Sequence, residues 1–233
     1  MARLETLPDA FATTVASLHR VAELIVAPAR KPDNEIALQA TQGGFGTPAF
    51  EYDGESHQAR VEGAELVHTE GAAERRAPLS SLAAAAEVVA ELLPSDAELD
   101  ADPLRVDPAA ATALAAWYAF ANAVLTQLIA EAGPADAPSP AILWPEHFDL
   151  AIELGDEGRG RRANYGASPG DESHPQPYLY VGPWTAAVSG ELWQANGFSG
   201  AELGYAELVE ADDQGAAALD FFESRKNALA ETT

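Results

Sequence analysis

The chain has 233 residues, with 37 acidic against 13 Lys and Arg side chains, a formal net charge of −24 and no cysteine. That excess, spread over both halves, repels phosphate backbones and anionic membrane surfaces, so charge-driven nucleic-acid and membrane binding are excluded. The missing cysteines exclude disulfides, thiolate metal sites and cysteine nucleophiles, which leaves a neutral or cationic small-molecule ligand, or a basic protein partner, as the expected company.

The first predicted element is a helix over about Pro8–Val26. Phe11, Val15, Leu18, Ala22 and Ile25 recur at steps of four and three, one helical face. Pro28 and Pro32 stop it. From Glu35 to His68 the pattern shortens. Ile36, Leu38 and Ala40 alternate in a strand, "QGGFGTP" reads as a turn or loop, and "AFEYDG" and "QARVEGAELVH" read as further strands. Leu79–Leu93 reads as a helix capped by Ser80 or Ser81 and closed by Pro94.

Ser95–Asp107 is polar and proline-marked, a connection. Asp107 before Pro108 marks a helix start, and Pro108–Glu131 follows with Leu114, Tyr118, Ala121, Leu125 and Leu128 in one stripe. Its 22 residues Ala109–Ala130 carry no charge and are long enough to span a bilayer. Ten of them are alanine, so a buried central helix is the expected reading. The segment "FDLAIEL" places Phe148, Leu150, Ile152 and Leu154 on one side and Asp149, Ala151 and Glu153 on the other. "GDEGRGRR" is a turn, in which Arg159, Arg161 and Arg162 are expected to balance Asp156 and Glu157. "PYLYVG" and Leu203–Val209 are strands, and Asp213–Leu229 is a closing helix.

These elements predict an α+β protein built as one domain over 1–233. Its antiparallel or mixed sheet would have helices packed on one face. The order helix, strands, helix occurs twice, over 1–100 and 107–233, and suggests duplication of an α-β-β-β-α unit. No apolar run follows a basic start in Met1–Ala10, so a cytoplasmic location is expected.

Candidate chemistry concentrates between Trp144 and Trp193. Aromatic and polar groups in proline-braced loops suit a ligand cleft, and Trp144, His147, Asp149, Tyr165, His174, Tyr178, Tyr180 and Trp184 are the candidate ligand-binding residues. The sharper version is a metal site. His147 and Asp149, two apart on a strand, would share a face about 7 Å apart. With His174 they would give two imidazoles and a carboxylate, a donor set that suits Fe(II). Asp149 and Glu153 share a face about 13 Å apart, too far for a glycosidase pair, so Asp171 or Glu172 would have to complete one. No nucleophile elbow and no phosphate loop occurs, so no catalytic residue or cofactor is assigned. The residues therefore predict a non-catalytic ligand- or protein-binding protein, with a metal-dependent enzyme as the alternative.

Phe148-Asp149-Leu150-Ala151, the arginine turn, "GPW", "ELGYAEL" and the early "LIVAPARKPDNEIALQAT" together resemble an uncharacterised bacterial family catalogued only as a domain of unknown function. The resemblance spans most of the chain and implies an intracellular α+β protein without an established activity. His147 lies outside the matching core.

Overall fold

The computed structural model describes residues 3–171, 174–185 and 188–231. Among them the fold is α+β, with two antiparallel sheets rather than one. The first sheet comprises β1 (Gln39–Thr41), β2 (Gly44–Gly46), β3 (Phe50–Tyr52), β4 (Glu55–Glu62), β5 (Glu65–Glu70) and β6 (Ala73–Pro78). Its order is β1-β2-β4-β5-β6, with β3 also paired to β4. The second comprises β7 (Ile142–Trp144), β8 (Asp149–Leu154), β9 (Ala163–Ser168), β10 (Tyr178–Pro183) and β11 (Ala201–Gly204), in the order β11-β10-β9-β8-β7. The helices are α1 (Phe11–Val21), α2 (Leu82–Ala86), α3 (Pro108–Ala130), α4 (Tyr205–Glu210) and α5 (Gln214–Glu231).

The chain divides into two compact units, and the division differs from 1–100 and 107–233. One unit holds Leu7–Ala119 and Leu143–Phe148. The other holds the residues up to Thr6, Phe120–Ile142, and everything from Asp149 on. The boundary falls inside α3, whose buried apolar side chains are Leu114, Trp117 and Tyr118 before it and Phe120, Val124, Leu125 and Leu128 after it.

In the unit of Leu7–Ala119, α1 runs into a single π turn over Ala22–Val26, where the Ala27 amide donates to the Ala22 carbonyl at 2.9 Å. The turn keeps Ala22, Ile25 and Val26 fully buried. The expected loop "QGGFGTP" contains β2 instead. Its glycines allow β4 to close on it, since a Cβ on Gly46 would stand 2.5 Å from the Arg60 Cβ. Asp53 and Gly54, with φ of 49° and 83°, make the tight turn between β3 and β4. The predicted helix over Leu79–Leu93 shortens to α2 and one 3-10 turn, Glu87–Val89, with Ser81 as the cap through an Ala84 amide bond of 3.2 Å.

Asp107 caps α3, accepting from the Ala110 amide at 2.9 Å. Asp107→Ala is expected to cost about 1 kcal/mol, measured by chemical denaturation. α3 is long and apolar enough to cross a membrane by length and composition, and it is the one such helix among the described residues. Its large side chains are buried in the protein, and the Tyr118 hydroxyl donates to the Phe148 carbonyl at 2.7 Å.

In the other unit, β8 to β11 form a meander. Cross-strand partners share a face, so the register sorts the side chains. Leu150, Ile152, Ala163, Tyr165, Ala167, Leu179, Val181 and Ala201 lie on one side, all buried. Phe222 of α5 meets the Tyr165 ring there, 5.9 Å between centroids. Gln214 clamps the chain start to α5: its Oε1 accepts from the Leu4 amide at 2.7 Å and its Nε2 donates to the Leu4 carbonyl at 3.0 Å. "ELGYAEL", expected as one strand, splits into β11 and α4, because the Glu207 carboxylate accepts from the Gly204 amide at 3.2 Å and starts a helix.

Candidate functional site

The opposite side of β8–β11 carries Asp149, Ala151 and Glu153, then Asn164, Gly166 and Ser168, then Tyr178, Tyr180 and Gly182, and finally Glu202. This polar face gathers most of the chemistry expected between Trp144 and Trp184. Its centre is Tyr180. The register sets Tyr180 opposite Gly166, and a Cβ on that glycine would lie 2.4 Å from the tyrosine Cζ. The ring therefore crosses β9, and its hydroxyl reaches β8 to donate to Asp149. Asp149 is only 7% exposed, so a carboxylate in this position is held by such hydrogen bonds. Burial, reinforced by the Asp149 charge, pushes the Tyr180 phenol well above the ordinary tyrosine value.

Three more rings continue from Tyr180. Tyr178 lies 6.2 Å away at 52°, His174 lies 4.7 Å beyond it at 35°, and Phe198 stands 6.2 Å from Tyr180 at 85°. Burial raises the Tyr178 phenol too, opposed by its hydrogen bond with Ser168. The His174 ring sits between two carboxylates: Nε2 is 3.3 Å from Glu202 and Nδ1 is 3.6 Å from Asp171. A tight turn places it there, with the Asp171 amide donating to the His174 carbonyl at 2.7 Å and the His174 amide to the Asp171 carboxylate at 2.8 Å.

Further along the same face, Trp184 Nε1 donates to Asn164 at 2.8 Å and the Arg162 guanidinium covers the indole at 5.2 Å. Arg159 pairs with Asp156 at 3.4 Å, as expected of the arginine turn, whereas Arg162 pairs with Glu153 on β8 at 2.9 Å instead of with Asp156 or Glu157.

Four of the eight expected residues thus meet, Asp149, His174, Tyr178 and Tyr180, and Trp184 shares their face. The other three do not. Tyr165 lies on the buried side of the sheet, because β9 alternates Ala163, Tyr165 and Ala167 inward. Its hydroxyl has no hydrogen-bond partner among the described residues, and burial drives its phenol far above the ordinary range. Tyr165→Phe is expected to leave stability unchanged or raise it by up to about 1–2 kcal/mol, read from denaturation midpoints, since it deletes an unsatisfied polar atom.

Trp144 and His147 belong to the unit of Leu7–Ala119. His147 is exposed in a turn. Strand alternation does not link it to Asp149, because Phe148 between them takes a φ of 55°. That unusual conformation for a bulky residue is held by the Tyr118 hydroxyl bond, by the Phe148 amide donating to the Trp144 carbonyl at 2.7 Å, by stacking on His19 at 5.0 Å and by an edge-to-face contact with Phe45 at 5.0 Å. The metal set His147, Asp149 and His174 is accordingly not assembled: among the described residues no group of three or more such side chains is placed to hold an ion. Glu172, expected as an alternative carboxylate, lies outside the described residues.

Sequence reasoning missed Glu202, Phe198 and the role of Gly166. Glu202 comes 28 residues after His174 and meets it only through the β10–β11 register. An aromatic two strands from an acid, with glycine on the strand between, was the available signal for the Tyr180–Asp149 bond. Comparison with protein-family models, with curated proteins and with solved structures found no match in any of the three.

Proposed function

We propose that this protein binds a small-molecule ligand on the polar face of β8–β11 and does not transform it. The observation that carries this reading is the run His174–Tyr178–Tyr180–Phe198, with ring centroids 4.7–6.2 Å apart, flanked by Asp149, Asp171 and Glu202. Aromatic surface beside a few fixed polar groups is what orients a ligand. The raised Tyr178 and Tyr180 phenols hold their protons at neutral pH and so do not supply a base. The net charge of −24 supports a neutral or cationic ligand over an anion or a nucleic acid. A cytoplasmic bacterial protein fits this reading, as does the resemblance to a family without established activity.

The test is a set of amide NMR titrations of the full chain with small neutral, cationic and anionic compounds, following Gly166, Gly182 and Gly204. Shifts gathered on those glycines and their strand neighbours, with no product formed on long incubation, are expected. Turnover of a compound, or shifts that spare these amides for every compound, would defeat the proposal.

A further inference from the structure

We infer that the ligand is a small organic cation of the alkylated ammonium type, seated against the Tyr180 ring. This rests on the binding reading above and names the chemistry of that site. The geometry begins with Gly166. Because no side chain stands there, the Tyr180 ring packs on the β9 backbone, with Gly166 Cβ space overlapping its Cζ, Cε1 and Oη within 2.5 Å. The ring keeps partial exposure to solvent. Phe198, 36% exposed, stands at 85° to it and forms a perpendicular wall. Tyr178, tilted by 52° from Tyr180, and His174, tilted by 35° from Tyr178, continue the aromatic surface.

A ring face carries negative quadrupole density and attracts a cation within about 6 Å of its centre. Two rings near a right angle can turn their faces to one guest in the corner between them, the beginning of an aromatic cage. The carboxylates complete the match. Asp149 lies at the hydroxyl tip of Tyr180, and Glu202 is the β11 residue opposite Tyr180 in the register. Asp171 and Glu202 also bracket the His174 end of the aromatic surface. An alkylated ammonium spreads its charge over methyl groups and is weakly hydrated, so it exchanges water for rings at little cost. A compact, strongly hydrated ion does not, and an anion meets three carboxylates.

The experiment compares choline with 3,3-dimethyl-1-butanol, which has the same shape without the charge, by the amide titration of the full chain. Choline is expected to shift the Gly166, Gly182 and Gly204 amides with an affinity at least about tenfold above that of the alcohol. Phe198→Leu, at a half-exposed position that does not endanger folding, is expected to weaken choline binding roughly three- to tenfold. Equal shifts from choline and the alcohol would overturn the cation assignment while the face remained a binding site. The same follows if other compounds shift these amides and choline does not. An unchanged choline affinity in Phe198→Leu would overturn the two-ring seat. If no compound shifts these amides, the binding reading fails with it.

Discussion

Gly166→Val is expected to destabilise the protein by roughly 2–4 kcal/mol and to abolish choline binding, although valine is the better strand residue. Intrinsic β propensity alone predicts the opposite sign. The geometry decides, because a side chain at this position must enter the space of the Tyr180 ring, whose Cζ, Cε1 and Oη lie 2.4–2.5 Å from the Cβ position. The ring cannot yield without releasing its hydroxyl from Asp149, and Asp149 is buried. The variant therefore adds overpacking to a lost hydrogen bond from a buried carboxylate. Tyr180→Phe separates the two parts. It deletes the hydroxyl and leaves the ring on the glycine, so it should cost about 1–3 kcal/mol and keep part of the cation affinity. Denaturant unfolding and the choline titration read both quantities. A Gly166→Val protein as stable as the parent would show that the ring does not depend on that space.

The second large effect is a loss of stability on acidification that originates in the first sheet. His57 and His68 are buried on β4 and β5, 3% and 0% exposed, with rings stacked at 5.3 Å and His57 Nδ1 3.0 Å from His68 Nε2. His68 Nδ1 lies 2.9 Å from the Val88 carbonyl, and its Nε2 faces His57. Arg75 reaches the same Nδ1 at 3.0 Å and is itself paired with Glu70 and Glu91. Glu91 lies 3.6 Å from that nitrogen. Phe50 and Tyr52 close around His57.

Burial, helped by the Arg75 charge, lowers the basicity of His68, against the raising pull of the Val88 bond and of Glu91. The unfolded chain therefore takes up a proton at His68 below about pH 6.5, while the folded chain resists until a lower pH. Stability from this group is complete above about pH 6.5 and declines as pH falls from there to the lowered folded value. Its slope reaches at most about 1.4 kcal/mol per pH unit. Urea unfolding at a series of pH values should show that slope, and His68→Leu should remove one proton's share of it. An identical pH profile in the variant would mean that His68 titrates alike in both states.

The elements legible in the sequence were those whose side chains carry the pattern. Asp107-Pro108 and the stripe from Leu114 to Leu128 placed α3 almost to the residue, and the alternation of Leu150, Ile152 and Leu154 placed β8. The strands β2, β6, β7 and β9 escaped, and in two of them, β2 and β9, a glycine lets a neighbour close in. β2 is built on Gly44 and Gly46 and shows no apolar period, and β9 alternates only Ala163, Tyr165 and Ala167 against Asn164, Gly166 and Ser168, two of its three inward residues being alanine. Within the site, Asp149, Tyr178 and Tyr180 were found because they sit on recognisable strands. Tyr165 was placed in the cleft only because β9 was read as loop, and with it the parity that sends this ring inward. His147 was tied to Asp149 by a strand rule that the left-handed Phe148 interrupts. Contacts such as His174 with Glu202, or His57 with His68, arise from register between strands and leave no local trace in composition.

The widened turn at Ala22–Val26 has a consequence for how this chain can vary in length. Its carbonyl ladder skips one position, so that stretch of helix accommodates one surplus residue while the segments before and after it keep their orientation toward the interior. Excising Leu24, whose side chain is 39% exposed, would restore ordinary helical pitch and leave Ile25, Val26 and Ala29 aimed where they are now. The same excision inside α3 would rotate every following side chain by about 100° and turn Phe120, Val124 and Leu128 out of their seats. Single-residue length changes are thus expected to survive in the first helix and to be eliminated in the third.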